Sequence, residues 1–362
     1  MTEHSLSRFF RVHFPPPAYM ALPTVGVDIS TSSMKAVHIK EYAHGPEVDI
    51  FDEVALPDNV MSKGDITSKQ SVADALKTLA QRHGMKAVHV SLPESKSYLF
   101  ELKVRGKNKE EWRTAVEQSL DEYVPLPPDT VVFNIMPLKV VAGETLVVGV
   151  GYARKIVENF LQVLEESGVE PASFESEMFS TARALLPAHM DETVLIVDIG
   201  KTTTKLIIAE RQIPRFATTL DVGGDALTHS VQKYFGVSEE EARKIKIEHG
   251  IVSSGGKEEY LSAMLLTASA IRDEVTMRLE YWQNRTRTNN LFAPVTRAVL
   301  VGGNATLRGL PEYLSSTLRV PVVLGDVFTN FASLDTWLPS VDYAQSFAYT
   351  TAIGLALRDY VQ

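Results

Sequence analysis

Cysteine is absent from the 362-residue sequence, and with it go disulfides, thiolate nucleophiles and Cys-ligated zinc, as in proteins of reducing compartments. The nine histidines show no HExxH spacing, so a zinc site of that kind is not expected. No run reaches the roughly 18 consecutive apolar residues of a membrane-crossing helix. Near the N-terminus, Arg8 and Arg11 accompany an apolar run that Pro15, Pro16 and Pro17 break, unlike a secretory leader. Positive charge is in deficit: 36 Lys and Arg against 45 Asp and Glu leave a net −9. That argues against a general nucleic-acid or anionic-membrane binder. What remains is 44% hydrophobic and 22% charged, long enough for two or more folded domains and expected in the cytoplasm.

Residues 1–23 form an arm in which Leu6, Phe10 and Phe14 would share one helical face before the prolines stop it. Packing on its own domain and docking to a membrane surface or partner are both open for it. From Val25 the sequence reads as strand, turn and strand, then a third strand in VDIFDEVALP. A helix follows through TSKQSVADALKTLAQRHG and stops at Gly84. After the strand AVHVSLPES the texture changes. A Lys-rich stretch, a helix from Lys109 to about Tyr123, the breaker VPLPP, two alternating strands and a helix from Lys155 to Ser167 mark 95–170 as an α+β insertion. A strand and helix in GVEPASFESEMFSTARALLP close the first series, and a second begins at 194. It holds a hairpin, a third strand in FATTLDVGGDAL and a helix through Tyr234. A charged helix in SEEEARKIKIEHG and a long one from about Tyr260 to Arg285 follow. The strand RAVLVGGN, a helix in LRGLPEYLSSTL and a small-residue C-terminal helix complete the chain.

One pattern occurs twice. VGVDISTSSMKAVHIKE (25–41) and VLIVDIGKTTTKLIIAE (194–210) each drive an apolar strand to an Asp, turn through small hydroxyl residues and leave on a second strand. Freed turn N–H groups can cradle phosphate oxygens while the carboxylate holds hydrated Mg2+. The first copy offers Asp28, Ser30, Thr31, Ser32, Ser33 and Lys35; the second offers Asp198, Gly200, Thr202, Thr203, Thr204 and Lys205. A lone strand-ending Asp is more often a turn former, but two matched copies facing each other would clamp one triphosphate between two domains. A third element, AVLVGGNATLRGL (298–310), runs a buried strand into Gly302 and Gly303, where a flat ring could lie against backbone, with Asn304 or Thr306 placed to cap the next helix. The alternative is a tight strand-to-helix turn, and its glycine spacing is not that of a dinucleotide fingerprint.

In order, DISTSSMK, DIGKTTTK, DVGGDAL and VGGNATLRGL resemble the phosphate-1, phosphate-2, glycine-loop and adenosine motifs of the actin and sugar-kinase ATPase superfamily. Within it the spacing resembles FtsA and, more closely, the PilM family of actin-like proteins of type IV pilus assembly, over residues 24–362. GVDISTSSMKAV, the insertion at 95–170 and the ending YTTAIGLALR carry the closer likeness; an FtsA would be expected to continue into an amphipathic membrane helix. The resemblance implies an α/β fold, a duplicated actin-like ATPase with ribonuclease H-like halves and an inserted α+β subdomain 1C. It divides the chain into an arm (1–23), subdomain 1A (24–94, 171–190 and 339–362), the 1C insert (95–170) and a second half (191–338) with a small 2B at about 229–285.

The same resemblance implies ATP and Mg2+ as ligands. Asp28 and Asp198 would lie by the metal and phosphates, Ser30 to Ser33 and Gly200 to Thr204 would wrap the phosphates, and Gly223 and Gly224 would approach the γ-phosphate side. Gly302, Gly303 and Asn304 would sit by the adenosine, and Glu175, or Glu177 two residues on, would be the acid that positions water beside Asp198. Lys246 matches a ribose- or base-contacting lysine, while Arg243 stands where a Glu is expected. A sugar kinase would need a general base, for which Asp221 and Asp225 are the nearby acids, Asp225 also reading as a helix cap. The reading preferred is an ATP-binding scaffold with at most slow hydrolysis, peripheral at the inner face of the cytoplasmic membrane. It would capture the N-terminal cytoplasmic peptide of a PilN-like inner-membrane protein, contact the membrane only through that partner, and be capable of self-association. An FtsA-like division protein is the alternative.

Overall fold

The computed structural model describes residues 24–42, 44–252 and 258–360; the N-terminal arm lies outside them. The first series opens with strands β1 (Thr24–Ile29), β2 (Ser33–Tyr42) and β3 (Gly45–Ala55), a small hairpin of β4 (Met61–Ser62) and β5 (Asp65–Ile66), and the helix Lys69–His83. That helix buries Val72, Leu76 and Leu79 on one face and ends where Gly84 adopts the left-handed conformation. Strand β6 (Ala87–Leu92) then lies parallel to β1.

Residues 97–153 build a separate antiparallel sheet from β7 (Ser97–Val104), β8 (Val131–Val141) and β9 (Glu144–Ala153), in the order β7-β9-β8. The helix expected from Lys109 to Tyr123 is broken at Ser119 into Lys109–Gln118 and Leu120–Tyr123. The break lets Val116, Leu120 and Val124 all reach the core this sheet shares with Phe100, Phe133 and Ile135. The helix Arg154–Ser167 leads back to β10 (Glu170–Ser176), which completes a five-stranded sheet of order β10-β6-β1-β2-β3.

The second series repeats the first. Strands β11 (Thr193–Ile199), β12 (Thr204–Glu210), β13 (Ile213–Leu220), β14 (Val295–Val301) and β15 (Val322–Leu324) form a sheet of order β13-β12-β11-β14-β15. In both sheets an antiparallel hairpin is followed by a third antiparallel strand, and the first strand of the hairpin pairs in parallel on its other side. This is the duplicated α/β arrangement expected for an actin-like fold.

Between β13 and β14 run the helices Gly224–Phe235, Glu239–His249 and Glu258–Thr288. The longest buries Tyr260, Met264, Ala268, Ile271, Val275, Leu279 and Trp282, a three-to-four-residue spacing that keeps one stripe on the core. The helix expected over residues 307–318 is shorter, Leu310–Ser315, with Pro311 in its first turn, where a missing N–H costs nothing.

The helix Thr350–Ala356 is wedged between β1 and the helix Glu177–Leu185. A Cβ on Gly354 would stand 1.8 Å from the Ser180 carbonyl oxygen, so only glycine allows this approach. Among the described residues no helix is long and apolar enough to cross a membrane.

Candidate functional site

The two hairpins share one construction. Asp28, last but one in β1, stands across from Lys35, and Asp198, last but one in β11, stands across from Lys205. Each turn closes on the same main-chain bond: Ser30 N–H donates to Ser33 O at 3.0 Å, and Gly200 N–H donates to Thr203 O at 2.9 Å. Ser30 Oγ adds a bond to the Ser33 carbonyl at 2.8 Å, and the Ser32 carbonyl accepts from Leu56 N–H at 2.9 Å, which ties the first turn to the end of β3. Although 171 residues apart, the turns meet tip to tip, with the Thr31 and Thr202 hydroxyls 3.2 Å apart.

Below the tips lies a buried charge cluster. Ser91 Oγ donates to Asp28 Oδ1 at 2.8 Å, and Lys35 Nζ donates to Ser33 Oγ at 2.6 Å and pairs with Glu53 at 3.3 Å. Lys205 Nζ donates to Glu177 Oε2 at 2.6 Å, while Glu177 Oε1 accepts the Glu94 N–H at 2.7 Å. The Glu94 carboxylate accepts from the Thr219 hydroxyl of β13, a bond between the two series.

Burial pushes the Asp198 carboxyl above its ordinary value; Glu177 and Asp28 add to that rise, and Lys205 and Lys35 oppose it. Burial likewise raises Glu94, helped by Glu177 and opposed by Thr219 and Lys205. For Lys205, burial works against the charged form, but the carboxylates of Glu177, Asp198 and Asp28 outweigh it and hold the ammonium above the usual lysine range. Acid thus crowds the cluster beyond what its two lysines balance.

The remaining elements form the other wall. The helix Gly224–Phe235 starts against the second turn, with Gly224 N–H donating to Gly200 O at 3.0 Å and Asp225 N–H to Lys201 O at 2.8 Å. Its N-cap is Gly223, and the Asp225 side chain does not cap it. Asn304 caps no helix either. Its amide donates to Gly200 O at 2.9 Å and accepts from Lys246 Nζ at 2.9 Å, bonds to neighbouring elements that take the side chain from its own turn. Lys246 also donates to Gly224 O at 3.1 Å; burial lowers its ammonium to about 8, with Arg243 adding to the fall and Asp225 opposing it. Gly302 has φ +89, and a Cβ there would lie 2.4 Å from Asp198 Oδ1, whereas one on Gly303 would meet open space. One glycine of the pair is therefore required by the acid and the other leaves room.

The expected acids part company. Glu177 joins the cluster, but Glu175 is gripped by Arg183 at 2.6 and 2.7 Å and by Arg358 at 3.1 Å. Those two arginines tie Glu175 to the helix Glu177–Leu185 and to the C-terminal segment, away from the charge cluster that Glu177 joins. Asp221, considered above as a kinase base, is exposed and pairs with Lys63 at 3.6 Å. Ser91 and Glu94 were not singled out from the sequence. Ser91 is last but one in β6 and Glu94 follows it, β1 beside it carries Asp28 in the same place, and parallel strands deliver their C-terminal residues to one edge.

Among the described residues no group of three or more His, Asp or Glu side chains is placed to hold a metal by itself. Asp28 with Asp198 suits an ion that brings most of its own ligands, as Mg2+ does with water and phosphate.

The family model described as "Type IV pilus assembly protein PilM" matches residues 26–360. Cell division protein FtsA of Staphylococcus epidermidis is 21% identical over 386 residues, covering 90% of this chain and 81% of that one. A solved structure described as a PilM-PilN type IV pilus biogenesis complex superimposes with a TM-score of 0.74 at 21% identity, covering 93% of this chain and 98% of that one. MreB5 of Spiroplasma citri bound to ADP gives a TM-score of 0.54 at 15% identity over 92% of this chain and 94% of that one. The ethanolamine utilization protein EutJ from Carboxydothermus hydrogenoformans gives 0.51 at 16% identity, covering 95% and 90%.

Proposed function

Since the chain belongs to the PilM family of type IV pilus assembly proteins, we propose that it is an ATP-binding, actin-like scaffold of the pilus inner-membrane platform. The observation that carries this reading is the pairing of the hairpins, in which Asp28 and Asp198 stand at matching positions below turns that touch at Thr31 and Thr202. Main-chain N–H groups and hydroxyls of residues 30–33 and 200–204 would hold the phosphates, and Asp28 and Asp198 the Mg2+. Bound there, the metal would supply positive charge to a cluster short of it. Gly302, Gly303, Asn304 and Lys246 would border the nucleoside.

Glu177 is the acid suited to orient water, yet both its oxygens are engaged, one by Lys205 and one by the Glu94 N–H. That arrangement favours holding ATP over turning it over. The 97–153 sheet and its helices would present the partner surface, the partner being the cytoplasmic N-terminal peptide of a PilN-like membrane protein. The likeness to the PilM-PilN complex supports that choice. Recognition would combine main-chain pairing with a few apolar side-chain sites, and the protein would reach the membrane through this partner.

The test is a calorimetric titration of the full chain with the synthetic N-terminal peptide of the single-span membrane protein encoded beside it, with and without Mg·ATP. Binding should tighten with nucleotide, and Asp198→Ala should abolish that gain. Peptide affinity that is the same in all four combinations would refute the nucleotide-gated scaffold.

A further inference from the structure

Strand β13 is attached at both ends to things that matter. Near its start sits Arg215, whose side chain is fully buried. In the pairing of β12 with β13, Ile208 faces Phe216 and Ala209 faces Pro214, which leaves Arg215 as the extra residue of a bulge. A bulge re-aims a side chain that regular pleating would send elsewhere. Here it sends the guanidinium into the 97–153 sheet: Nε and Nη2 donate to the two oxygens of Glu101 on β7 at 2.6 and 2.8 Å. Nη1 donates to Glu210 at 2.5 Å and to the Leu291 carbonyl at 2.7 Å, and the group lies 4.6 Å over the Phe292 ring. Lys139 of β8 reaches Glu210 from the same sheet at 2.9 Å.

At its other end β13 delivers Thr219 to Glu94 in the charge cluster and Asp221 to Lys63 across the cleft. It then delivers the Val222 carbonyl to Thr204 Oγ1 at 2.7 Å, and after it the Gly223–Gly224 corner that fixes the second phosphate turn. From Arg215 to Leu220 the strand spans ~17 Å.

We propose that β13 is the element coupling the inserted subdomain to the nucleotide cleft, with the Arg215–Glu101 clasp as its grip on the insert. The inference rests on the scaffold reading above and adds its regulation: a partner that moves the insert pulls on Glu101, and the strand carries the displacement to the Gly223–Gly224 corner. Ligand binding at the turns works the same strand from the opposite end, because coupling between two sites is reciprocal. A bidentate, buried Arg–carboxylate pair suits this task, since it resists sliding in any direction within the guanidinium plane.

Replacing Arg215 would take the bidentate partner from Glu101 and leave the buried Glu210 to Lys139, endangering folding, so the informative variant is Glu101→Gln, which keeps the shape and leaves Arg215 paired with Glu210. The readout is hydrogen–deuterium exchange on the full chain at the Gly224 and Asp225 amides, which bond to the second turn. In the ligand-free protein, Glu101→Gln should speed exchange at these amides about tenfold. Glu144→Gln, which cuts an ion pair to exposed Arg105 inside the insert, should leave them unchanged. With Mg·ATP, wild type should gain protection across β7, and Glu101→Gln should not. Unchanged exchange at Gly224 and Asp225 in ligand-free Glu101→Gln overturns the coupling. Failure of wild type to bind Mg·ATP would instead overturn the nucleotide reading, and the ligand-free comparison would still decide the role of β13.

Discussion

Lys246 is buried between Gly224 and Asn304 with its ammonium value lowered to about 8, so its charge can be removed by a modest rise in pH. The sign is fixed by which species prefers the proton. Between about 8 and the ordinary 10.5 the unfolded chain binds the proton and the folded chain does not, so the fold gains stability as pH rises through that window. Nucleotide affinity should run the other way, because an ammonium beside an anionic ligand helps and a neutral amine does not. Mg·ATP affinity measured by fluorescence titration should fall roughly fivefold between about pH 7 and 9.5, and Lys246→Met should be weaker at pH 7 and flat across the range. A wild-type affinity that ignores pH would remove Lys246 from the site.

The same scale explains how the two candidate acids were ambiguous in sequence. Strand parity puts residues 175 and 177 on one face, but β10 ends at Ser176 and a helix begins at Glu177. The change of period turns the second acid toward Lys205 and leaves the first with Arg183. Little local announces that switch, because the lysine comes from β12 and the arginine from the far end of the helix that Glu177 opens. Asn304 was misread for a related reason: its sequence context is that of a cap, and its tertiary neighbours claim both ends of the amide.

Among elements, the hairpins were the most legible, since strand periodicity, the terminal Asp and the Gly or hydroxyl turn are all local features. Their alignment is close enough that the turn-closing bonds fall at the same offsets from Asp28 and Asp198. Helix ends were less legible where tertiary packing decides them, as at Ser119, where a kink serves the core of the insert. The small residues of YTTAIGLALR were readable as a close-packing helix, and the structure supplies the reason: Gly26 of β1 faces this helix on one side and Gly354 faces Ser180 of the helix Glu177–Leu185 on the other, both with no room for a side chain. Gly354→Ala should therefore lower the unfolding free energy by about 2–3 kcal/mol, the usual cost of forcing a methyl into a filled core. Urea unfolding of the full chain gives the figure directly. A change within ~0.5 kcal/mol would mean that the helix Thr350–Ala356 can shift away from Ser180 at little expense.

Taken whole, the molecule is two similar sheets that share a continuous apolar core, running from Val37 and Ile39 through Met178 and Phe179 to Val194 and Leu206, while at the cleft itself they meet through polar bonds: Thr31 with Thr202, Lys63 with Asp221, Thr219 with Glu94 and Lys205 with Glu177. The exposed Lys63–Asp221 pair contributes little, and the tip contact is a single hydroxyl pair. A ligand that bridges both turns would therefore decide how firmly the mouth of the cleft is held, which is what the proposed nucleotide gating requires. The decisive measurement is isothermal titration of the full chain with Mg·ATP, repeated with Asp198→Ala and with Glu175→Gln. The account predicts saturable binding at one site per chain, lost in Asp198→Ala and retained in Glu175→Gln; no heat of binding in wild type, or undiminished binding in Asp198→Ala, would contradict it.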